Sequence, residues 1–301
     1  MSKLIVILGI TGVQGSSVAN TYLQTAGWKV RGLTRNPNTP NAIGWVAKGV
    51  EIVQADLDNV ESLKKAFVGA TVVFGVTDFW TIFKDPESAN KKQAGQVLVQ
   101  YCKEVELQQG KNIADAAATV PGLSRYVFSS MAHATKSSGG KYKEFLTSLH
   151  GKFSQVQAPI YFQLPWQWGL PPTPKEQADG TWRMNGIGPG DKGIPFGDVS
   201  QDVGPCVKAV AEAEPNANLF AVGEYLSWSD YLRIFCETQG LKYGGYDEFS
   251  HEKFCELLPG GLGHEFSHNV LFAHEFGYEG TDPEVVRPNK ASEILNAIFT
   301  K

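Results

Sequence analysis

No stretch of this chain approaches the roughly 18 consecutive apolar residues that a membrane-spanning helix needs, so no membrane span is expected. Basic residues are not in excess. Lys and Arg number 27 against 31 Asp and Glu, and the net charge of -4 offers no field to attract nucleic acid. Cysteine is scarce. Cys102, Cys206, Cys236 and Cys255 are spaced too widely for a disulfide framework or a CxxC zinc site, and are expected to be reduced thiols. Internal repeats and low-complexity tracts are absent. Met1-Ser-Lys3 leads straight into an apolar run with no room for a signal peptide, so a cytoplasmic protein is expected. What is present is 301 residues, 42% hydrophobic and 19% charged, enough for a substantial core in one large domain or a large and a small one.

The stretch from Lys3 to Gly15 organises the rest. Leu4 to Leu8 form an apolar, β-branched run, as expected of a strand buried on both faces of a parallel sheet. Gly9, Gly12 and Gly15 follow at once, and Ser16 to Thr25 reads as a helix. Strand, glycine-rich turn and helix in that order form a dinucleotide-binding fingerprint. Backbone without Cβ can approach a pyrophosphate, which then sits at the positive end of the helix. The plain alternative is an ordinary tight turn between strand and helix. Trp28 to Thr34 reads as a second strand, and Thr34, Arg35 and Asn36 stand where an acidic residue would bind the ribose of NAD. A guanidinium suits a 2′-phosphate and a carboxylate would repel it, so NADP(H) is the expected cofactor. An exposed arginine in a solvated loop is the alternative for Arg35.

Further strands are expected over 49–55, 70–76 and 124–131, with Asp58 or Asn59 capping a helix from Val60 to Phe67. Asp56 and Leu57 begin the turn after the third strand, beside the expected adenine. Thr77 and Phe79 lie beyond the fourth, where ligands of open α/β sheets bind. Helices are expected over 87–106 and 113–119. Beyond Ala132 the pattern loosens: 137–140 reads as a flexible turn, 142–153 as a helix, and 158–164 as strand six. The Pro-, Gly- and Trp-rich segment 165–191 reads as an irregular lid or small subdomain, with Trp166, Trp168 and Trp182 close together. Later helices are expected up to Glu212, over 227–239, 250–257, 263–276 and 289–299, and a late strand over 217–222. The alternation predicts an α/β fold: a Rossmann-type doubly wound parallel sheet with a smaller C-terminal α/β subdomain. Residues 1–165, with 195–225 returning, are expected to form the cofactor domain. Residues 166–194 and 226–301 are expected to form the smaller substrate or partner subdomain.

The turn glycines, Thr34-Arg-Asn-Pro37, Val76-Thr-Asp-Phe-Trp80, Ser129-Ser-Met131 and Glu275-Phe-Gly-Tyr278 together resemble the NmrA-like family of atypical short-chain dehydrogenase/reductase proteins. The likeness covers residues 1–140 and, more loosely, about 195–280. It implies NADP(H) on a Rossmann domain, with Gly9, Thr11, Gly12, Gln14, Gly15, Thr34, Arg35, Asp56, Leu57, Thr77, Phe79 and Ser129 around the cofactor. Some members are reductases; others are redox sensors that bind a transcription factor or another protein. One departure matters. The Tyr-x-x-x-Lys pair of ordinary short-chain dehydrogenases is absent, because Leu146 stands four places after Tyr142. His150-Gly-Lys152 resembles the Asp-Ser-Lys or Asp-Gly-Lys triplet of the family, which implies that Lys152 reaches the nicotinamide ribose or the substrate. Pro159 arrives soon afterwards, so this segment is shorter than the family pattern.

His264-Glu-Phe-Ser-His268 matches the zinc-protease helix pattern, with His274 as a third histidine. Leu271 stands where such proteases turn at glycine, and His274 lies roughly 80° around the helix from His264, so no metal is expected. Two functions remain. The first is an NADP(H)-dependent reductase of a small carbonyl, imine or enone compound. Ser130, Tyr142 or His150 would supply its proton, and Phe79, Trp80 and Trp166 would line an apolar pocket. The second is a non-catalytic NADP(H) redox sensor acting on a protein partner such as a transcription factor, for which a nuclear location would be expected. Neither contacts nucleic acid or membrane directly.

Overall fold

The computed structural model describes residues 2–142, 153–168 and 171–286. The chain opens with β1 (Lys3–Ile7), α1 (Val13–Leu23), β2 (Trp28–Thr34), α2 (Pro40–Ala47), β3 (Glu51–Gln54), α3 (Val60–Phe67) and β4 (Val72–Gly75). It continues through α4 (Phe79–Lys84), α5 (Pro86–Lys91), α6 (Leu98–Ala118), β5 (Arg125–Ser130), α7 (Ala134–Ser137), β6 (Ser154–Gln157) and β7 (Ile160–Tyr161). Next come α8 (Leu164–Trp168), β8 (Lys175–Glu176), β9 (Thr181–Ile187), β10 (Ile194–Gly197), α9 (Val199–Glu212), β11 (Asn218–Phe220) and β12 (Glu224–Leu226). The last are α10 (Trp228–Gln239), β13 (Lys242–Phe249), α11 (His251–Leu257), α12 (Leu262–Phe276) and β14 (Val285–Val286).

Eight strands form the central sheet in the order β14-β11-β6-β5-β4-β1-β2-β3, and every pairing in it is parallel. The apolar run of β1 explains its central place. Ile5 and Ile7 point to one face, where Val30, Val72 and Phe74 meet Val18 of α1 and Val203 and Val207 of α9. Val6 and Leu8 point to the other, where Leu33, Val73 and Phe128 meet Leu63 and Phe67 of α3 and Ile113 of α6. A strand with two buried faces needs apolar residues at consecutive positions, and this one has them. The chain runs outward from β1 to β2 and β3 on one side, then crosses to β4, β5 and β6 on the other. The strand order therefore reverses between β1 and β4, and a crevice opens at the carboxyl ends of those two strands.

Two three-stranded sheets, β12-β10-β7 and β13-β9-β8, stand apart from the central one. Helix α10 packs on them through Trp228, Leu232 and Cys236, which meet Met184, Ile194 and Phe196. The helix starts follow the caps in the sequence. Asn59, Asp198, Ser227 and Ser250 accept from the amides of Ser62, Ser200, Asp230 and Lys253, each closing a first turn. All four cysteines are free thiols. No helix among the described residues is long and apolar enough to cross a membrane.

Four expectations are corrected. The helix expected over 87–106 is two, α5 and α6, because the chain turns extended at Lys92 and Gly95 takes a positive φ of 80°. Helix α6 then runs unbroken through 113–118, which had read as a separate segment. The sixth strand of the sheet is β6, not 158–164: its polar Ser154-Gln-Val-Gln157 concealed it, and Pro159 has no N–H to continue the ladder. Segment 165–191 is not irregular throughout, since β9 runs for seven residues beside β13. Edge strand β14 also returns to the central sheet from within the C-terminal portion. The helix expected over 289–299 lies outside the described residues.

Candidate functional site

The turn after β1 is built from backbone. Gly9 has φ +64°, a conformation that strains any residue with a Cβ, and its carbonyl accepts from Gly12 N–H at 2.9 Å. Helix α1 begins at Gly12 with no side-chain cap and no acidic residue in its first turn. Its leading N–H groups therefore carry the positive end of the helix dipole without an internal acceptor. Gly15 allows this close packing: a Cβ there would lie 2.1 Å from Gly9 O and 2.6 Å from Gly9 C. Such an end is suited to an anion, a pyrophosphate above all.

The turn forms one wall of a cavity of about 820 Å³ at the carboxyl ends of β1 and β4. Gly9, Thr11, Gly12, Gln14, Gly15, Thr34, Arg35, Asp56, Leu57, Thr77, Phe79 and Ser129 all line it. Arg35 is exposed, and its side chain meets no carboxylate among the described residues; its carbonyl accepts from Gln54 Nε2 at 3.0 Å. The turn after β3 is tied to α6. Asp58 accepts from Gln109 Nε2 at 3.0 Å, and Leu57 O accepts from Asn112 Nδ2 at 2.8 Å. The opposite end is apolar, with Trp80, Ile82, Leu164, Pro171, Phe266 and Val270. Trp80 stacks on Phe266 with ring centroids 5.8 Å apart.

The expected proton donors separate. Ser130 lines the cavity, only 4% exposed, and donates to Met131 O at 3.2 Å. Tyr142 does not line it. Its hydroxyl donates to Glu275 Oε2 at 2.9 Å, and its ring rests against His268, Phe272 and Phe276 of α12. Burial, then the Glu275 carboxylate, raises its pKa, so the phenol holds its proton where it is. Trp166 is likewise displaced: it packs on Phe235 at 4.6 Å and donates to Tyr231 Oη at 2.9 Å, while Leu164 of the same helix reaches the cavity. The pairing of α8 with α10, invisible in local sequence, turned it away. His150 and Lys152 lie outside the described residues.

Other cavity residues escaped the sequence reading. Tyr161 follows the sixth strand and accepts from Gln14 Nε2 at 2.9 Å. Burial raises its pKa, with the Gln14 hydrogen bond opposing. Glu106 lines the cavity from α6 and accepts from Thr77 Oγ1 at 2.7 Å. Behind it lies Glu265, 5% exposed, neither of whose oxygens has a hydrogen-bond partner among the described residues. Burial, and then neighbouring Glu106, push the Glu265 carboxyl up to about 8, so it is mostly protonated at neutral pH. That also separates the zinc-protease pattern. Glu265 faces the interior, and His274 sits buried near Gly188, where its imidazole lies 2.9 Å from the place of a Cβ.

Sheet order, glycine turn and crevice define a Rossmann-type doubly wound α/β protein. The sequence profile of the NmrA-like family matches residues 1–298, and the chain belongs to that family. Among its relatives is the NmrA-like family domain-containing oxidoreductase ptmS of Penicillium ochrochloron, 26% identical over 98% of this chain and 92% of the relative. Another is the oxidoreductase himF of Aspergillus japonicus, 28% identical over 80% of this chain and 74% of the relative. The fold is similar to that of NmrA, a negative transcriptional regulator solved with NADP: TM-score 0.69, 20% identity, 99% of this chain and 91% of that one. It is also similar to the NADPH-dependent quinone oxidoreductase QOR2 of Escherichia coli, solved with NADPH: TM-score 0.63, 15% identity, 98% and 99% covered.

Proposed function

We propose that this chain is an NADP(H)-dependent oxidoreductase acting on a small carbonyl, imine or enone compound. The observation that carries the reading is a single cavity. It runs from an uncapped, glycine-lined helix end, past an arginine with no carboxylate partner among the described residues, to an apolar chamber walled by aromatic side chains. The residues fit the group: Gly15 lets the first turn of α1 pack against the Gly9 backbone, which keeps its amides on the cavity wall, and buried Gln14 Oε1 has no partner among the described residues. When bound, the nicotinamide supplies the hydride. The α1 amides would hold the pyrophosphate, Arg35 and Thr34 the 2′-phosphate, and Thr77, Phe79 and Ser129 the nicotinamide side. Lys152 would meet the ribose or substrate. Trp80 and Phe266 would exclude water from the substrate.

Ser130 and Tyr161 both offer hydroxyls on the cavity wall. Tyr161 is the stronger donor candidate: its hydroxyl accepts from Gln14, which leaves its own proton for a developing oxyanion. Purified protein supplied with NADPH and a panel of carbonyl, imine and enone compounds should consume the reduced nicotinamide with at least one class. Tyr161→Phe should then lower kcat by about 100-fold or more without weakening NADPH binding. Equal kcat in the variant would remove Tyr161 from the chemistry. Arg35→Ala should weaken NADP by about ten- to a hundredfold, the worth of one charge-assisted contact, and leave NAD nearly unchanged. Equal losses for both would contradict the 2′-phosphate role.

The placement of Tyr142 favours a second reading, a redox sensor. The tyrosine at the usual catalytic place in the sequence is held by Glu275 outside the cavity, and NmrA itself is described as a negative transcriptional regulator. Absence of turnover across the panel, with clearly different affinities for oxidised and reduced cofactor, would select it.

A further inference from the structure

Between α11 and α12, three potential metal ligands converge. His251 and Cys255 lie one turn apart on α11, and His264 projects from the first turn of α12. Their ligand atoms all lie within 4.8 Å of one another. His251 Nε2 is 3.3 Å from His264 Nδ1 and 3.5 Å from Cys255 Sγ. Those separations have a meaning. A tetrahedral zinc ion with Zn–N of about 2.0–2.1 Å and Zn–S of about 2.3 Å places two nitrogens roughly 3.4 Å apart, and nitrogen and sulfur roughly 3.6 Å apart. Two edges of the coordination polyhedron are thus already present. The third, from Cys255 to His264, is no longer than 4.8 Å.

A second feature prepares the site. His251 Nδ1 is 2.6 Å from the hydroxyl of Ser267, which is completely buried. In the tautomer whose Nδ1–H donates to that oxygen, Nε2 keeps its lone pair and the ring is fixed in orientation. This is the outer-shell contact that metal-bound histidines commonly make. His264 is exposed, so an ion can enter from solvent.

We propose that His251 Nε2, Cys255 Sγ and His264 Nδ1 bind a Zn²⁺ ion, with water as fourth ligand, and that the ion staples α11 to α12. Imidazole and thiolate donors select zinc over calcium or magnesium. On binding, the Cys255 thiol loses its proton to solvent as the sulfur–metal bond forms. The ion's proposed role is to hold the two helices together. Phe254, Phe266 and Val270 of the same two helices face the cofactor cavity, so the staple would hold one wall of the substrate chamber in place. It does not depend on the proposed oxidoreductase activity.

The test uses the untagged full chain. After treatment with a chelator and desalting, titration with Co²⁺ should give a stoichiometric thiolate-to-metal charge-transfer band in the near ultraviolet, and Zn²⁺ should displace it. Cys255→Ser should abolish the band, His264→Ala and His251→Ala should each weaken Co²⁺ binding at least tenfold, and Cys236→Ser should leave it intact. Zn²⁺ should raise the thermal unfolding temperature of the parent chain and not of Cys255→Ser, with NADPH affinity the same in both. Absence of a stoichiometric band in the parent chain, or its survival in Cys255→Ser, would overturn the site and leave an ordinary hydrogen-bonded cluster.

Discussion

Gly15→Ala should lower the affinity for NADPH by about 100-fold or more, on the order of 3 kcal/mol. The added methyl would sit 2.1 Å from Gly9 O, 2.6 Å from Gly9 C and 3.0 Å from Ile10 Cα, all backbone atoms. No rotamer relieves a clash between Cβ and backbone, so α1 must move away from the end of β1. The amides of its first turn move with it, and they are the groups assigned to the pyrophosphate. Since Val18, Ala19 and Tyr22 of α1 belong to the core, some stability should be lost as well. Fluorescence titration with NADPH, read beside the far-ultraviolet circular dichroism of the variant, separates the two effects. A folded Gly15→Ala protein that binds NADPH like the parent would refute the assignment of the turn.

The second large effect is on stability. Gly204→Ala should destabilise the fold by about 3 kcal/mol, in the upper range for overpacking a filled core. Helices α1 and α9 pack tightly where Gly204 meets Ser17 and Thr21. A Cβ there would lie 2.3 Å from Ser17 O and 2.3 Å from Thr21 Oγ1. Parting the helices would also stretch the bond from Gly204 N–H to Ser17 Oγ, now 2.9 Å, and loosen Val18 from Val203 and Val207. The unfolding temperature should fall by roughly 5 °C. Adding Thr21→Ala should not restore it, because the Ser17 carbonyl remains in the way. A fall below about 2 °C would mean that the two helices can separate cheaply.

Which features were legible in the sequence follows from where their causes lie. The first strand, the glycine turn, the second strand and the caps at Asn59, Ser227 and Ser250 depend on neighbouring residues and could be read locally. So could Arg35, because its place is fixed by the end of β2. Strand β6 could not: its residues are polar, and burial is imposed by β5 and β11 on either side. Strand β9 was hidden by the Pro, Gly and Trp around it, although Gly95, which breaks the long helix, was visible and could have been used. Trp166 and Tyr142 suit the pocket by residue type alone, as an aromatic and a hydroxyl group. Their actual partners, Phe235 and Glu275, lie far along the chain, and no local pattern points to them. The same holds for His251, Cys255 and His264. The histidine spacing on α12 was conspicuous, but the ligands that complete it come from the preceding helix.

The central claim is that the cavity beside the amino-terminal turn holds a phosphorylated nicotinamide dinucleotide. Isothermal titration of the purified chain with NADPH, NADP, NADH and NAD tests it directly. The account predicts one saturable site per chain, tighter for the phosphorylated pair. No heat of binding, together with no change in nicotinamide fluorescence for any of the four, would contradict it.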